Sequence, residues 1–305
     1  MKNRVCSHFS FKMLLALFVC GLLFLTRPDA AVSSGPGETG AEILKFHPSA
    51  RAAALGDAFS GAASGLEAVL YNPAALIRME RTEFEFSHMF WFLDTSMSSA
   101  GVGHRVGPAG VGAYVKQFRA SDTRRDIFGE REGGFDIRFT QYTLAAGYPT
   151  DEEEQSVGAA VNLITETMGD ESGSAFSFDF GWHYRMWDGM SSYGLVARNV
   201  GGGIKTFESE ADLPREIVFG GRNQVGAFKF LWEISTSRPY GFCWRSGISA
   251  RMGEYFSLRA GFKYILEPEY SAGFGVQAGG WILDYAFLPH LDLGISHRIS
   301  VGARL

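Results

Sequence analysis

Between Ala175 and Met186 bulky apolar and polar side chains alternate without a break. Phe176, Phe178, Phe180, Trp182, Tyr184 and Met186 fall on one parity, and Ser177, Asp179, Gly181, His183 and Arg185 on the other. Successive side chains of a strand point to opposite faces, so this run is a ribbon with one apolar and one polar face. It is long enough to cross a bilayer, for which a tilted strand needs about 9–11 residues. The pattern recurs. Phe228, Phe230, Trp232 and Ile234 oppose Lys229, Glu233 and Ser235; Phe256, Leu258, Ala260, Phe262 and Tyr264 oppose Ser257, Arg259 and Lys263; Ile295, Ile299, Val301, Ala303 and Leu305 oppose Ser296, Arg298, Ser300 and Arg304. Full charges on one face and aromatics on the other, repeatedly, is the alternation of a closed barrel with lipid outside and a polar lumen.

Reading strands by alternation and turns by Gly, Pro and Asp clusters places strands at 82–92, 95–106, 109–119, 135–148, 155–167, 175–186, 191–199, 215–225, 227–237, 242–252, 255–266, 270–278, 281–288 and 294–305. The fold class expected is an all-β membrane protein, an antiparallel transmembrane barrel of about 14 strands. With the N-terminal segment on the periplasmic side, the turns after even strands are short. Both long connections, Ala120 to Gly134 and Val200 to Pro214, then fall on the outer side, the asymmetry such barrels have. The fourth strand is irregular. Phe135, Ile137 and Phe139 occupy odd positions, whereas Tyr142, Leu144, Ala146 and Tyr148 occupy even ones. This slip predicts either a bulge and kink at Thr140 and Gln141 or an outer end lying beyond the membrane, where alternation is not enforced.

Three regions are expected: a signal peptide over 1–33, a hatch over 34–80 and the barrel over 81–305. Lys2, Arg4 and Lys12 flank an apolar run from Met13 to Leu25 that is short for a membrane span, and Ala31-Val32-Ser33 offers cleavage after Ser33. Cys6 and Cys20 lie in this leader, which leaves Cys243 alone and excludes an internal disulfide in the mature chain. Residues 34–80 lack two-residue alternation. Stretches from Ser49 to Leu55 and from Ser64 to Tyr71 read as short helices with a Ser available to cap each, the second broken by Asn72-Pro73. The chain is 46% hydrophobic and 14% aromatic with 38 Gly, which suits strands and tight turns, and its net charge of −5 with no basic tract argues against nucleic acid.

The polar parity collects Asp179, His183, Arg185, Lys229, Glu233, Arg245, Arg251, Arg259, Lys263 and Arg298 as expected lumen residues. They either form a selectivity lining or pair with one another and with the N-terminal segment; pairing is favoured, because charges away from water are usually found paired. His47, His88, His104, His183, His290 and His297 have no zinc spacing, and no Gly-x-Ser-x-Gly elbow occurs. Gly101-x-Gly103 and Gly201-Gly-Gly203 lack the strand–loop–helix context of a phosphate cradle, and Asp151 to Glu154 reads as a solvated turn. No catalytic residues, metal or cofactor are expected.

The stretch Ala50-Arg-Ala-Ala-Ala-Leu-Gly-Asp-Ala-Phe59, the Asn72-Pro73-Ala74 motif, and the ending from Leu283-Asp-Tyr-Ala-Phe287 to Ser300 resemble the PorV/PorQ family of FadL-like outer-membrane barrels. The match is good at the two ends and only one of pattern in the middle. The resemblance implies a 14-stranded barrel in the outer membrane of a Gram-negative-type bacterium, with its N-terminal segment inside as a hatch that carries Arg51, Gly56, Asp57, Phe59, Asn72, Pro73 and Ala74. The terminal Leu305 departs from the Phe with which such barrels often end. FadL-like members pass hydrophobic small molecules, and PorV-like members serve type IX secretion. The first expectation is therefore a non-enzymatic, passive conduit for hydrophobic or amphipathic molecules, with ligand resting on Leu55, Phe59 and Leu70 until the hatch shifts. The alternative is a secretion component that docks exported proteins. Partners expected are outer-membrane lipid, a hydrophobic ligand, or exported or secretion-system proteins.

Overall fold

A computed structural model describes residues 39–92, 95–125, 127–152, 154–206, 210–237, 240–290 and 294–305. The expected signal peptide and its cleavage site lie outside the described residues. The strands are β1 (Glu83–Phe90), β2 (Ser96–Val106), β3 (Ala109–Arg125), β4 (Arg131–Pro149), β5 (Gln155–Met168), β6 (Glu171–Arg185), β7 (Ser191–Gly201), β8 (Gly203–Lys205), β9 (Glu210–Asp212), β10 (Glu216–Val225), β11 (Phe228–Ser237), β12 (Gly241–Met252), β13 (Phe256–Tyr264), β14 (Pro268–Ala278), β15 (Trp281–His290) and β16 (Gly294–Arg304). All but β8 and β9 close into one antiparallel barrel in which β1 pairs with both β2 and β16; β8 and β9 form a separate hairpin. Closure leaves no edge strand, so every wall amide can be paired inside a bilayer. Among the described residues no helix is long and apolar enough to cross a membrane.

Phe176, Phe178, Phe180, Phe228, Phe230, Phe256, Leu144 and Tyr148 are exposed on the outer wall, while Ser177, Asp179, Glu233, Ser235 and Lys263 on the opposite parity are buried. Trp182 shares the outer parity but is covered, its indole Nε1 donating to Gln155 Oε1 at 3.0 Å.

Two expected loops are structured. β3 and β4 run 17 and 19 residues and extend as a ladder well past the other strands, so most of 120–134 is strand. The connection after β7 folds as the β8–β9 hairpin, which buries Ile204. The expected kink is also absent from its expected place. The β3–β4 and β4–β5 ladders pass through Thr140 and Gln141 without a register shift. β4 keeps one parity throughout. Phe139 points inward because an apolar cluster of Ala41, Leu44, Ile164, Ala175, Ile204 and Leu213 lies inside the outer end of the barrel. Thr140 and Gln141 are both buried; Thr140 Oγ1 accepts from Gln117, and Gln141 Nε2 donates to Asn162 Oδ1 at 2.9 Å. The irregular ladder is instead β6–β7, where Asp179 faces both Arg198 and Asn199 and Asn199 adopts φ 55°. That is a bulge of one extra residue on β7.

Residues 39–80 occupy the lumen. Ser49 caps a single helical turn (Ala50–Ala53), a second turn covers Ala68–Tyr71, and Asn72 accepts from the Ala74 amide to open a 3₁₀ turn over Pro73–Arg78. Leu55, Phe59, Leu66, Val69, Leu70, Tyr71, Leu76 and Met79 form a core with Tyr114, Ala145, Ala160 and Leu231 of the wall. A lumen of this strand number is too wide for wall side chains alone to fill.

Candidate functional site

The hatch is seated backbone-to-wall, and wall glycines make that possible. A Cβ on Gly147 would stand 2.6 Å from Pro73 O, and one on Gly247 2.6 Å from Leu55 O; Gly158 meets Ala74, Gly194 meets Ser60, Gly110 meets Leu76 and Gly261 meets Gly56 as closely or more so. Gly56 itself has φ +66° and lies against the Phe262 backbone, so it is required on both counts.

Charge then locks the seat. Glu233, 1% exposed, accepts from the Phe59 and Ser60 amides at 3.2 and 2.9 Å and from Arg245 at 2.9 Å. Asn72 donates to Ser60 O and Trp182 O at 3.2 and 3.0 Å, which ties the hatch to β6. Asp57 lies 3.9 Å from both Lys263 and Arg298 and accepts from the Tyr71 hydroxyl. Arg51 pairs with Glu67, which also accepts from Ser49. His183 Nε2 reaches Gly61 O at 3.3 Å. Arg259 pairs with Asp284 at 2.6 Å, and Asp179 accepts from Asn162 and from the Asn199 amide. Of the residues grouped by parity, Arg185, Lys229 and Arg251 join none of this. They sit at the short-turn ends of β6, β11 and β12 and are exposed. Leu55, Phe59 and Leu70 are no ligand surface, because they are consumed in the hatch core.

Above the hatch, at the long-loop end, lies a cavity of about 620 Å³. Its apolar wall is Phe46, Tyr240, Ile265, Leu266, Pro268, Tyr270 and Pro289. Most of its charges meet one another: Lys45 with Glu42 at 3.0 Å, Glu216 with Arg198 at 3.2 Å and Arg245 at 2.9 Å, and Lys263 with Glu269 at 3.0 Å, while Glu267 is exposed at the rim. Lys45 also stands 3.9 Å over the Tyr240 ring, whose hydroxyl donates to Glu42. Burial draws the Lys45 ammonium below its usual value against the pull of Glu42, and pushes the Tyr240 hydroxyl up. Glu216 and Arg198 were not singled out from the sequence. Their signal was present, since Arg198 falls on the parity opposite Tyr193 and Leu195, and Glu216 on the parity opposite Ile217 and Phe219. Glu42 lies in a segment without periodicity and left no signal. Among the described residues no group of three or more His, Cys, Asp or Glu could hold a metal ion.

The fold and this lumen define a transmembrane β-barrel of the outer-membrane type with an internal hatch. Solved structures similar to it include the CymD monoaromatic hydrocarbon channel (TM-score 0.64, 12% identity, 83% of this chain and 96% of that one). The Pseudomonas putida toluene transporter TodX gives a TM-score of 0.57 at 12% identity over 83% of this chain and 95% of that one. A Pseudomonas aeruginosa FadL homologue gives 0.56 at 10% identity over 82% and 95%. At these identities the likeness is one of fold. No family model matches the chain, and no curated protein matches it.

Proposed function

We infer that the chain is a passive outer-membrane conduit for uncharged hydrophobic or amphipathic small molecules, taken up from the long-loop end. The observation that carries this is the outer cavity. Its volume, about 620 Å³, lies within the range of ligand pockets, which are mostly apolar with a few placed polar groups. The pairing of its buried charges favours a ligand that brings no charge to the cavity floor, since an ion there would have to break a pair to be neutralised; Glu267, unpaired among the described residues, stands exposed at the rim. The hydrocarbon channels that share the fold support the same reading, and the PorV/PorQ resemblance is compatible with it. Docking of exported proteins is the lesser reading, because the built cavity is inside the mouth and of small-molecule size. The test is equilibrium binding of the fluorescent probe 1-N-phenylnaphthylamine to the detergent-solubilised protein. Saturable binding is expected, weakened about tenfold by Tyr240→Ala with Leu266→Ala, since removing roughly 1.4 kcal/mol of apolar burial corresponds to that factor. Probe uptake that does not saturate, or that ignores both substitutions, contradicts it.

A further inference from the structure

The hatch meets charge differently at its two ends. Its arm, residues 39–47, lies beside the outer cavity, and its core, residues 50–79, runs down to Arg78 at the short-turn end of the barrel. Along the core charges are answered, Glu233 by Arg245 and Asp57 by Lys263 and Arg298. At the short-turn end they are not. Arg185 of β6 and Arg222 of β10 stand directly opposite the same residue, Ser192 of β7. Their Cα atoms are therefore about 10 Å apart, two strand spacings, and both side chains take the inward parity. Both reach Gly189 in the β6–β7 turn: Arg222 Nη2 donates to Gly189 O at 2.7 Å, and a Cβ on Gly189 would stand 2.9 Å from Arg185 Nη2. Arg78 joins them from the hatch. Its Nη2 donates to Glu154 O at 3.2 Å, the same oxygen that accepts from the Arg185 amide at 2.9 Å.

Three guanidinium groups thus converge, and Arg185 repels both of the others. Among the described residues none of the three makes an ion pair. The side-chain hydrogen bonds of Arg78 and Arg222 go to backbone carbonyls, and the buried Nε of each has no acceptor. Carboxylates of the adjoining turns are engaged elsewhere: Asp188 accepts from the Met190 amide at 2.8 Å, and Glu152 accepts from Gln155. His183, two residues before Arg185 on the same face of β6, is 3% exposed, and its Nδ1 has no partner either. Like charges held together with donors to spare call for an anion, because charges drawn away from water are stable when paired. We propose that Arg78, Arg185 and Arg222 bind an oxyanion, a phosphate or carboxylate group presented from the short-turn side. The planar fork of a guanidinium matches two oxygens of such a group, which a spherical halide does not offer. The anion bridges Arg78 of the hatch to β6 and β10 of the wall, so its binding clamps the lower end of the hatch core. The site is separate from the outer cavity and stands whatever the barrel conducts.

The test is thermal unfolding of the full chain in zwitterionic micelles, titrated with inorganic phosphate at constant ionic strength. The melting temperature of the parent is expected to rise saturably with phosphate, as it does when a ligand binds only the folded state. Arg185→Gln with Arg222→Gln should weaken the apparent phosphate affinity by about tenfold or more, because the charge-assisted forks are gone. In phosphate-free buffer the same variant should melt above the parent, since the repulsion is relieved; a purely structural role for these arginines would lower it. Lys229→Gln with Arg251→Gln removes equal charge from exposed positions of the same mouth, and should leave phosphate affinity within about twofold, because exposed charges are screened. Hydrogen exchange over 73–79 should slow with phosphate in the parent and not in the arginine variant. A parallel arm in nanodiscs without phosphate compares phosphatidylglycerol with phosphatidylcholine. Stabilisation by phosphatidylglycerol that the arginine variant loses, with free phosphate silent, assigns the oxyanion to a lipid headgroup. Equal loss of phosphate affinity in the two double variants, or no saturable stabilisation by either phosphate or phosphatidylglycerol, overturns the site.

Discussion

Glu233 shows how a single side chain joins wall and hatch. It is 1% exposed and holds two hatch amides and Arg245 at once. Glu233→Leu leaves both amides and part of the guanidinium without partners, and breaking a buried pair from one side costs about 3–5 kcal/mol. Urea titration in micelles should register that loss, and Arg245→Met added to it should recover a part. On the opposite parity, Phe180→Arg places a cation in the lipid-facing wall near mid-strand and should cost about 2–4 kcal/mol in a bilayer folding assay, with Phe180→Leu nearly silent. Equal effects of the two would mean that Phe180 does not face lipid. Facing was legible from the sequence because lipid enforces parity; the pairings were not. Alternation says that Arg245 and Glu233 point inward, but it cannot say that Glu216, Arg198 and the Phe59 amide meet them there.

At the scale of elements, the wall glycines are the device that seats the hatch. Gly158→Val has no room against Ala74, and overpacking of this kind costs typically about 1–3 kcal/mol. The expected outcome is a lower melting temperature together with new proteolysis within 50–79. Gly202→Ala, with nothing within 4 Å of its Cβ, should stay within about 0.5 kcal/mol of the parent. The strands themselves were readable, and most boundaries agree within a few residues. The exceptions share a cause. The outer ends of β3 and β4 rise past the other strands, and inside that rim the arm and hairpin supply an apolar surface. Inward positions there are free to be apolar, and Phe139 then mimics a slip of register. The true bulge, at Arg198 and Asn199 opposite Asp179, moves the outward parity from Ala197 to Val200, but a strand read as ending at 199 leaves Val200 in the loop and the slip unseen. The glycines were visible as composition, but a glycine facing a hatch backbone and a glycine in a turn look alike in sequence.

The whole molecule is a closed wall, a fixed core within it, and an outer cavity lined in part by residues 42–47 of an arm whose Ala41 and Leu44 pack against the wall. The core's seating moves the expected gating step from the hatch as a body to residues 39–47. A disulfide between Gly40→Cys and Ala211→Cys would pin that arm, since a Cβ at position 40 would stand 3.1 Å from Ala211 Cβ, near the roughly 3.5–4.5 Å a disulfide spans; Ile204→Ala is added throughout the test because that Cβ would otherwise meet Ile204 Cγ2 at 2.5 Å. The most direct measurement is uptake of 1-N-phenylnaphthylamine and of a sugar of similar size by Gram-negative host cells carrying the chain, with the arm free, pinned under oxidant, and freed again by reductant. A conduit gated by the arm predicts faster uptake of the apolar probe alone, abolished on pinning and restored on reduction. Sugar uptake rising in parallel, or apolar uptake that ignores the disulfide, would contradict it.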